Sequence, residues 1–235
     1  MSKAIVPLIV VAQLWLATGD LAFGATGSVS GTVSVAGAYQ RPKPLPVFKN
    51  RSFCGSAVPN ETLLIGAGGG LRNAVVLLRP LDGKVPIRPG SVILDNKHCA
   101  FTPHVQVATV GSDLLLKNSD PILHTVHARL GRETLFNVGL PRWRPVTKRL
   151  DRPGVVRIDC DVLHTWMSAA IVVADTPYSA VTDEHGRFAV DGLPLGAYEL
   201  EVWHERLGAR RQQLQLNSSG MVASIEMIYS LEKTR

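Results

Sequence analysis

The chain has 235 residues, a formal net charge of +6, 46% hydrophobic residues and 19% charged residues. This composition excludes a disordered or low-complexity chain, and the length allows one large domain or two small ones. The 21 Gly and 15 Pro predict short elements rather than long helices. The positive charge favours acidic partners. No basic run interleaved with aromatic residues predicts nucleic-acid binding.

The first 24 residues have the pattern of a secretory signal peptide. Lys3 precedes the apolar run 4–16, and the small-residue pattern Ala22-Phe23-Gly24 follows. The apolar run is shorter than the roughly 20 residues of a spanning helix, and no later segment reaches that length. We therefore expect 1–24 to be removed, leaving a periplasmic or secreted protein without an integral membrane span. An uncleaved membrane tether is the alternative interpretation.

Three cysteines leave one thiol without a partner if the other two are joined. Cys54 and Cys99 both lie near turn or strand-end residues, and an oxidising compartment favours pairing them. A disulfide that closes the loop between Cys54 and Cys99 stabilises the fold by about 4 kcal/mol in the chain-entropy model. Cys160 is then the odd thiol, for which a metal is one explanation.

Short β-rich runs bounded by Gly, Pro, Asn or Asp dominate the rest of the chain. The predicted strands are 28–35, 74–78, 91–94, 105–110, 113–117, 155–160 and 169–173. A meander of further short strands begins near residue 175. This pattern favours an all-β protein built from sandwiches or barrels, without a convincing amphipathic helix after residue 24.

Three soft or borderline metal ligands lie at and just after the end of the predicted strand 155–160. Cys160, His164 and Met167 fall within eight residues, and a thiolate, an imidazole and a thioether together favour copper. A second imidazole would come from His124 or His127, which point to different faces of an extended segment. The alternative interpretation is a buried thiol, a hydrogen-bonded histidine and a core methionine without a metal.

Residues 75–175 resemble a cupredoxin, the plastocyanin and azurin fold. Pro121 and His124 match the loop that holds the family's first ligand, and Gly154 to Cys160 match the strand that leads to its cysteine. Thr125 departs from the family, which commonly has Asn there to connect the ligand loops. The resemblance implies a Greek-key β-sandwich that binds one copper ion, cycling between Cu(I) and Cu(II). The implied ligands are His124, Cys160, His164 and Met167.

The C-terminal meander resembles the carboxypeptidase regulatory-like, transthyretin-type sandwich. The family pattern is matched by Thr182 to Phe188 and by Leu193 to Tyr198. The match is short for that sandwich, so strand 28–37, which resembles its usual first strand, is a candidate to complete it. We expect a cupredoxin-like domain with an N-terminal extension over 25–175 and this smaller sandwich over 176–235. The combination resembles exported methylamine-utilisation-like cupredoxins.

The expected function is electron transfer through a mononuclear copper site. A periplasmic copper carrier or sensor is one alternative, and a metal-free β-sandwich for binding or assembly is another. The chain lacks the hydrolase and haem motifs that would indicate an enzyme. The segment 142–152 carries five basic residues and is a candidate docking loop for an acidic redox partner.

Overall fold

The computed structural model describes residues 25–83, 85–218 and 222–231, and the predicted signal peptide 1–24 lies outside them. Helical structure in these residues comprises the short α1 (Arg51–Cys54) and a 3-10 turn (Ala67–Gly69). The strands before residue 160 are β1 (Thr26–Ala36), β2 (Leu45–Pro46), β3 (Ala57–Val58), β4 (Val75–Pro80), β5 (Ser91–Lys97), β6 (Ala100–Thr102), β7 (Val105–Thr109), β8 (Ser112–Asn118), β9 (His124–Leu130), β10 (Glu133–Leu140), β11 (Val146–Leu150) and β12 (Gly154–Asp159). The strands after it are β13 (Ser168–Ala174), β14 (Ser179–Val181), β15 (Arg187–Pro194), β16 (Gly196–His204), β17 (Gly208–Leu216) and β18 (Val222–Ser230). The all-β class expected from the sequence is confirmed.

The first sandwich consists of a five-stranded and a four-stranded sheet. The strand order is β10-β9-β12-β13-β7 in one sheet and β11-β8-β5-β6 in the other. Residues from both sheets, including Leu94, Leu116 and Ile158, form one hydrophobic core between them. On β13, Ile171 and Val173 point into this core, while the alternate residues pack on the opposite face. The five-stranded sheet therefore has apolar side chains buried on both faces.

The second sandwich pairs a three-stranded sheet, β15-β1-β18, with a four-stranded sheet, β14-β4-β16-β17. Val33, Leu200 and Tyr198 belong to its separate core. Strand β1 lies antiparallel to β15 and parallel to β18. A Cβ added at Gly31 would lie 2.0 Å from the carbonyl oxygen of Ile225, so this close approach of β1 to β18 requires glycine.

The two sandwiches are interleaved along the chain. Strands β1 and β4 precede the first sandwich in sequence, yet both belong to sheets of the second. On β4, Val76 packs in the second core, while Val75 and Leu77 contact β7 and β13 of the first sandwich. A strand that is apolar on both faces fits this position between two sheets. The predicted boundary after residue 175 would group β4 with the first sandwich. This boundary stays a prediction.

None of the described helices has the length and apolar character that crossing a bilayer requires.

Candidate metal centre

Two neighbouring strands and one loop form the candidate site at one end of the first sandwich. His124 is the first residue of β9, and Cys160 follows the end of β12, which pairs with β9. His164 and Met167 lie on the loop that joins β12 to β13. The exposed fractions of His124, Cys160, His164 and Met167 are 0%, 4%, 1% and 2%. All four side chains suggested by the sequence are therefore buried at this end of the core.

Three potential ligand atoms converge on a common point. Cys160 Sγ lies 3.9 Å from His124 Nδ1 and 3.7 Å from His164 Nδ1, and the two nitrogens are 3.0 Å apart. A metal such as zinc lies about 2.0–2.3 Å from nitrogen and sulfur ligands, so two ligands of one ion are separated by less than about 4.4 Å. The three atoms satisfy this condition, and a thiolate with two imidazoles suits copper.

The outer nitrogens of both rings are held by oxygen atoms. His124 Nε2 lies 3.0 Å from a carboxylate oxygen of Asp120, and His164 Nε2 lies 2.9 Å from the amide oxygen of Asn50. An oxygen acceptor at Nε2 requires a hydrogen there, which leaves the lone pair of a neutral ring on Nδ1. The two Nδ1 lone pairs then face each other at 3.0 Å. This arrangement is electrostatically unfavourable unless a cation lies between them, so the residues fit a bound metal.

Both imidazoles resist protonation in this environment. Burial is the main cause that lowers the pKa of His124, although the neighbouring Asp120 opposes it. Burial also lowers the pKa of His164 to about 4, aided by the nearby His124 and Lys49 and opposed by Asp120. Neutral imidazole is the form that binds metals, so both rings are available as ligands at neutral pH.

Thr125 connects the two strands that hold the ligands. Its backbone N–H and its hydroxyl lie 3.4 Å and 3.7 Å from Cys160 Sγ and donate to it. The same hydroxyl accepts a hydrogen bond from the backbone N–H of Asp161 at 2.7 Å. Thr125 thus makes the connection between ligand segments for which the cupredoxin resemblance implied an asparagine.

The ligand loop closes with a turn that buries Met167 beside Trp166. The backbone N–H of Met167 donates to the carbonyl oxygen of His164 at 2.9 Å, and the ring of Trp166 lies 5.0 Å from that of His164. Cys160, Trp166 and Met167 belong to the same hydrophobic cluster. Trp166 therefore packs against His164, and Met167 is buried in the same cluster as Cys160.

His127, the alternative imidazole, lies away from this cluster. Its Nε2 is 2.9 Å from the hydroxyl of Thr134, and its Nδ1 is 2.9 Å from a carboxylate oxygen of Asp161. The group that could hold a metal in the described residues contains His124 instead. Strand geometry explains the difference, because residues three apart on β9 point to opposite faces.

The structure contains the expected disulfide between Cys54 and Cys99, and Cys160 is a buried free thiol. Two site residues were not identified from the sequence. Asp120 lies four residues before His124 and could have been identified as a possible partner for its ring. Asn50 lies 114 residues before His164, and no local sequence signal indicates their contact.

No protein-family model matches the chain, and no curated protein matches it. Solved structures that are similar to part of it include an amicyanin mutant in the oxidised state, with 18% identity, a TM-score of 0.32, and coverage of 49% of this chain and 95% of that one. A purple cupredoxin from Nitrosopumilus maritimus has 19% identity and a TM-score of 0.32, covering 36% of this chain and 99% of that one. A pseudoazurin from Sinorhizobium meliltoi has 26% identity and a TM-score of 0.30, covering 36% of this chain and 74% of that one.

Proposed function

We propose that this protein binds one copper ion through His124, Cys160 and His164, with Met167 as a weaker fourth ligand, and that it transfers electrons. The observation that carries the proposal is the convergence of Cys160 Sγ and two Nδ1 atoms within 3.9 Å of one another. Copper bound there would supply one-electron exchange between Cu(I) and Cu(II). The chain contributes fixed ligand positions, so little rearrangement accompanies the change of charge.

Burial of the donor set favours electron transfer over catalysis. A catalytic metal keeps a coordination position open to substrate. Here all four donor side chains are at most 4% exposed, and Trp166 packs over the loop at 6% exposure. Electrons can cross such a barrier, whereas a substrate would be kept away from an ion bound there. We therefore propose a protein that is not an enzyme.

The disulfide supports a location outside the reducing cytoplasm. Bonds such as Cys54–Cys99 persist in the periplasm and in secreted proteins. Together with the sequence pattern of 1–24, this supports the proposal of export.

For the second sandwich we propose a scaffold of the carboxypeptidase regulatory-like type. The motif residues that suggested it have structural roles. The Asp183 carboxylate accepts backbone hydrogen bonds from His185 and Arg187 at 2.8 and 2.9 Å, which closes the turn before β15. The buried Tyr198 donates its hydroxyl to the carbonyl oxygen of Pro194 at 2.7 Å. These contacts hold turns and strands together, which supports a structural role.

We propose that the loop within 142–152 docks an acidic redox partner. Arg149 and Arg152 are already paired with acidic side chains, whereas Arg142 and Arg144 have no acidic partner within the ranges that the structure describes. They flank Trp143, which is 84% exposed. The loop starts directly after Leu140, which pairs with His124 across β9 and β10. Uncompensated positive charge thus lies at the end of the sandwich that holds the metal ligands.

The copper proposal is tested by titrating the purified protein with Cu(II) while recording its ultraviolet-visible and EPR spectra. We expect a saturable one-to-one sulfur-to-copper charge-transfer band that Cys160→Ser abolishes. His124→Gln should also abolish it, whereas the matched variant His127→Gln should retain it. A band that survives in Cys160→Ser would overturn the proposed site.

Two further outcomes identify the alternative functions. Bound copper that exchanges rapidly, with slow electron self-exchange, would indicate a carrier or sensor. Absence of both copper and the band in the wild-type protein would indicate a metal-free binding or assembly module. Either result would contradict the electron-transfer proposal.

A further inference from the structure

The two imidazoles are oriented by groups that come from distant parts of the chain. Asp120 holds the outer nitrogen of His124, and Asn50 holds that of His164. Groups that bind the outer nitrogen of a ligand histidine fix its tautomer and its ring orientation, and their loss typically weakens metal binding 10- to 100-fold. Asp120 and Asn50 are therefore positioning residues for the proposed site.

Asp120 is itself held by the turn that contains Cys99. Its carboxylate accepts the backbone N–H groups of His98 at 2.7 Å and Cys99 at 2.8 Å. The carbonyl oxygen of Cys99 in turn accepts the indole N–H of Trp166 at 3.0 Å. A movement of Cys99 would therefore be transmitted to both Asp120 and Trp166.

Asn50 is held by the turn that contains Cys54. Its carbonyl oxygen accepts the backbone N–H groups of Phe53 and Cys54, both at 2.9 Å. Helix α1 (Arg51–Cys54) has no fully buried residue, and within it Cys54 packs partly against the first core. A nearby attachment is the hydrogen bond from Lys49 Nζ to the carbonyl oxygen of Val162 at 3.3 Å, which is long and exposed.

One covalent bond joins the two turns, because Cys54 and Cys99 form the disulfide. We propose that this disulfide links the positioning groups of both imidazoles, so that its reduction by a dithiol loosens His124 and His164 together and accelerates metal release. The inference rests on the proposed copper function. It adds regulation of the same site by the thiol redox state of the compartment.

The chemical step is an ordinary thiol–disulfide exchange. A thiolate of the dithiol attacks the sulfur of Cys54, which is partly exposed, and Cys99 leaves as a thiolate. The second thiol of the reductant then displaces Cys54 and forms the reductant's own disulfide. Two electrons and two protons pass from the dithiol to the protein, which ends with two free thiols.

Variants without the disulfide test the proposed link better than a reductant does, because dithiols themselves bind copper. In the Cys54→Ser, Cys99→Ser double variant we expect copper transfer to a chelator to become 10- to 100-fold faster. In the metal-free protein, the Nε2–H signals of both histidines in nitrogen-15 NMR should broaden and exchange faster with water. Ser52→Ala, an exposed change within α1, is the matched control and should alter neither measurement.

A mutant cycle distinguishes coupling from general destabilisation. Asn50 has a left-handed backbone, with φ of 58°, so Asn50→Gly removes the side chain without strain, while Asn50→Asp keeps an acceptor. With the disulfide present, Asn50→Gly should accelerate copper release. Asn50→Asp should retain copper as the wild type does. Without the disulfide, the effect of Asn50→Gly should shrink, because Asn50 is no longer held in place.

The inference is overturned if the folded double-serine variant keeps wild-type release rates and sharp Nε2–H signals. It is also overturned if Asn50→Gly has the same effect in both backgrounds. Should the double variant not fold, an unchanged His164 signal in Asn50→Gly with the disulfide intact would refute the positioning role. If the wild type binds no copper, the proposed function fails, and the signals of the metal-free protein still test the coupling.

Discussion

The two sandwiches bury polar groups in different ways. In the second, buried polar side chains mostly serve the backbone: the hydroxyl of Thr182 donates to the carbonyl oxygen of Leu71 at 2.6 Å, and that of Tyr229 donates to the carbonyl oxygen of Val202 at 2.7 Å. In the first, buried imidazoles of His124 and His164 face each other and a thiol. Hydrogen bonds to the backbone stabilise a fold, whereas facing lone pairs weaken it unless a ligand is bound.

This difference is what the separate tasks proposed for the two units would produce. The second core is closed by apolar residues and satisfied hydroxyl groups, as expected for a scaffold. The first carries the unfavourable arrangement at one end, where Asp120 and Asn50 hold the two rings in it. The units meet through an apolar contact between β4 and strands β7 and β13, and through an ion pair between His104 and Glu205.

The largest expected effect tests whether the two cores are energetically separate. Leu200 is fully buried in the second core, so Leu200→Ala should lower the free energy of unfolding by about 2–5 kcal/mol. The copper band should keep its position and intensity, because the proposed ligands lie in the other sandwich. Chemical unfolding followed by circular dichroism, with a parallel copper titration, measures both.

The matched control for this change is Leu81→Ala, because Leu81 is 47% exposed. Its effect on the free energy of unfolding should stay within about 0.5 kcal/mol. Loss of the copper band in folded Leu200→Ala would contradict the separation of scaffold and site.

Acid should lower the free energy of unfolding through His204, the last residue of β16. This imidazole is 1% exposed, and its Nε2 has no hydrogen-bond partner in the part of the chain that the structure describes. Burial is the main cause that lowers its pKa to about 4, with Glu205 opposing and His104 and Arg206 adding to the decrease. The unfolded chain takes up the proton near pH 6.5, so the free energy of unfolding should fall by about 3 kcal/mol between pH 6.5 and 4.

Urea unfolding at several pH values measures this dependence. His204→Gln should flatten it between pH 6.5 and 4, whereas His185→Gln at an exposed position should not. His104 acts in the opposite direction: burial lowers its pKa, but the hydrogen bond and charge of Glu205 outweigh this and raise it overall. The stability that protonated His104 contributes to the fold is fully present below pH 6.5. It is lost as the pH rises through the raised pKa of His104. An unchanged acid dependence in His204→Gln would contradict the assignment.

The sequence predicted the parts of this comparison that depend on local patterns. Short β-rich runs bounded by turn residues predicted seven of the observed strands, between β1 and β13. The soft donors Cys160, His164 and Met167 stood out because they are close together in the chain. His124 was favoured over His127 by resemblance, and the structure places it at the cluster.

Long-range features had no comparable signal. The strand pairing that moves β4 into the second sandwich depends on both of its faces being covered, which the run of apolar residues at 75–78 allows but does not specify. The contact of Asn50 with His164 joins residues 114 positions apart. Such a contact follows from the path of the whole chain and from the disulfide, so no local pattern encodes it.

The smallest expected effect concerns electrostatic steering at the end of the first sandwich that holds the ligands. Arg142 and Arg144 carry positive charge without an acidic neighbour in the described ranges. The double variant Arg142→Glu, Arg144→Glu should slow oxidation of the copper-loaded protein by the anionic complex ferricyanide about tenfold at low salt. Stopped-flow absorbance measures the rate, and the difference should shrink as salt is added, because salt screens charges at separations beyond about 10 Å at 0.1 M.

The matched control changes the same net charge on the second sandwich. Arg72 and Arg206 are exposed there, and the pair Arg72→Glu, Arg206→Glu should slow the reaction less. A cationic complex such as cobalt(III) phenanthroline should instead react faster with Arg142→Glu, Arg144→Glu, because the sign of the local potential is reversed. Equal slowing by both charge-reversal pairs would mean that only net charge matters. The end of the first sandwich would then have no special role in meeting an acidic partner.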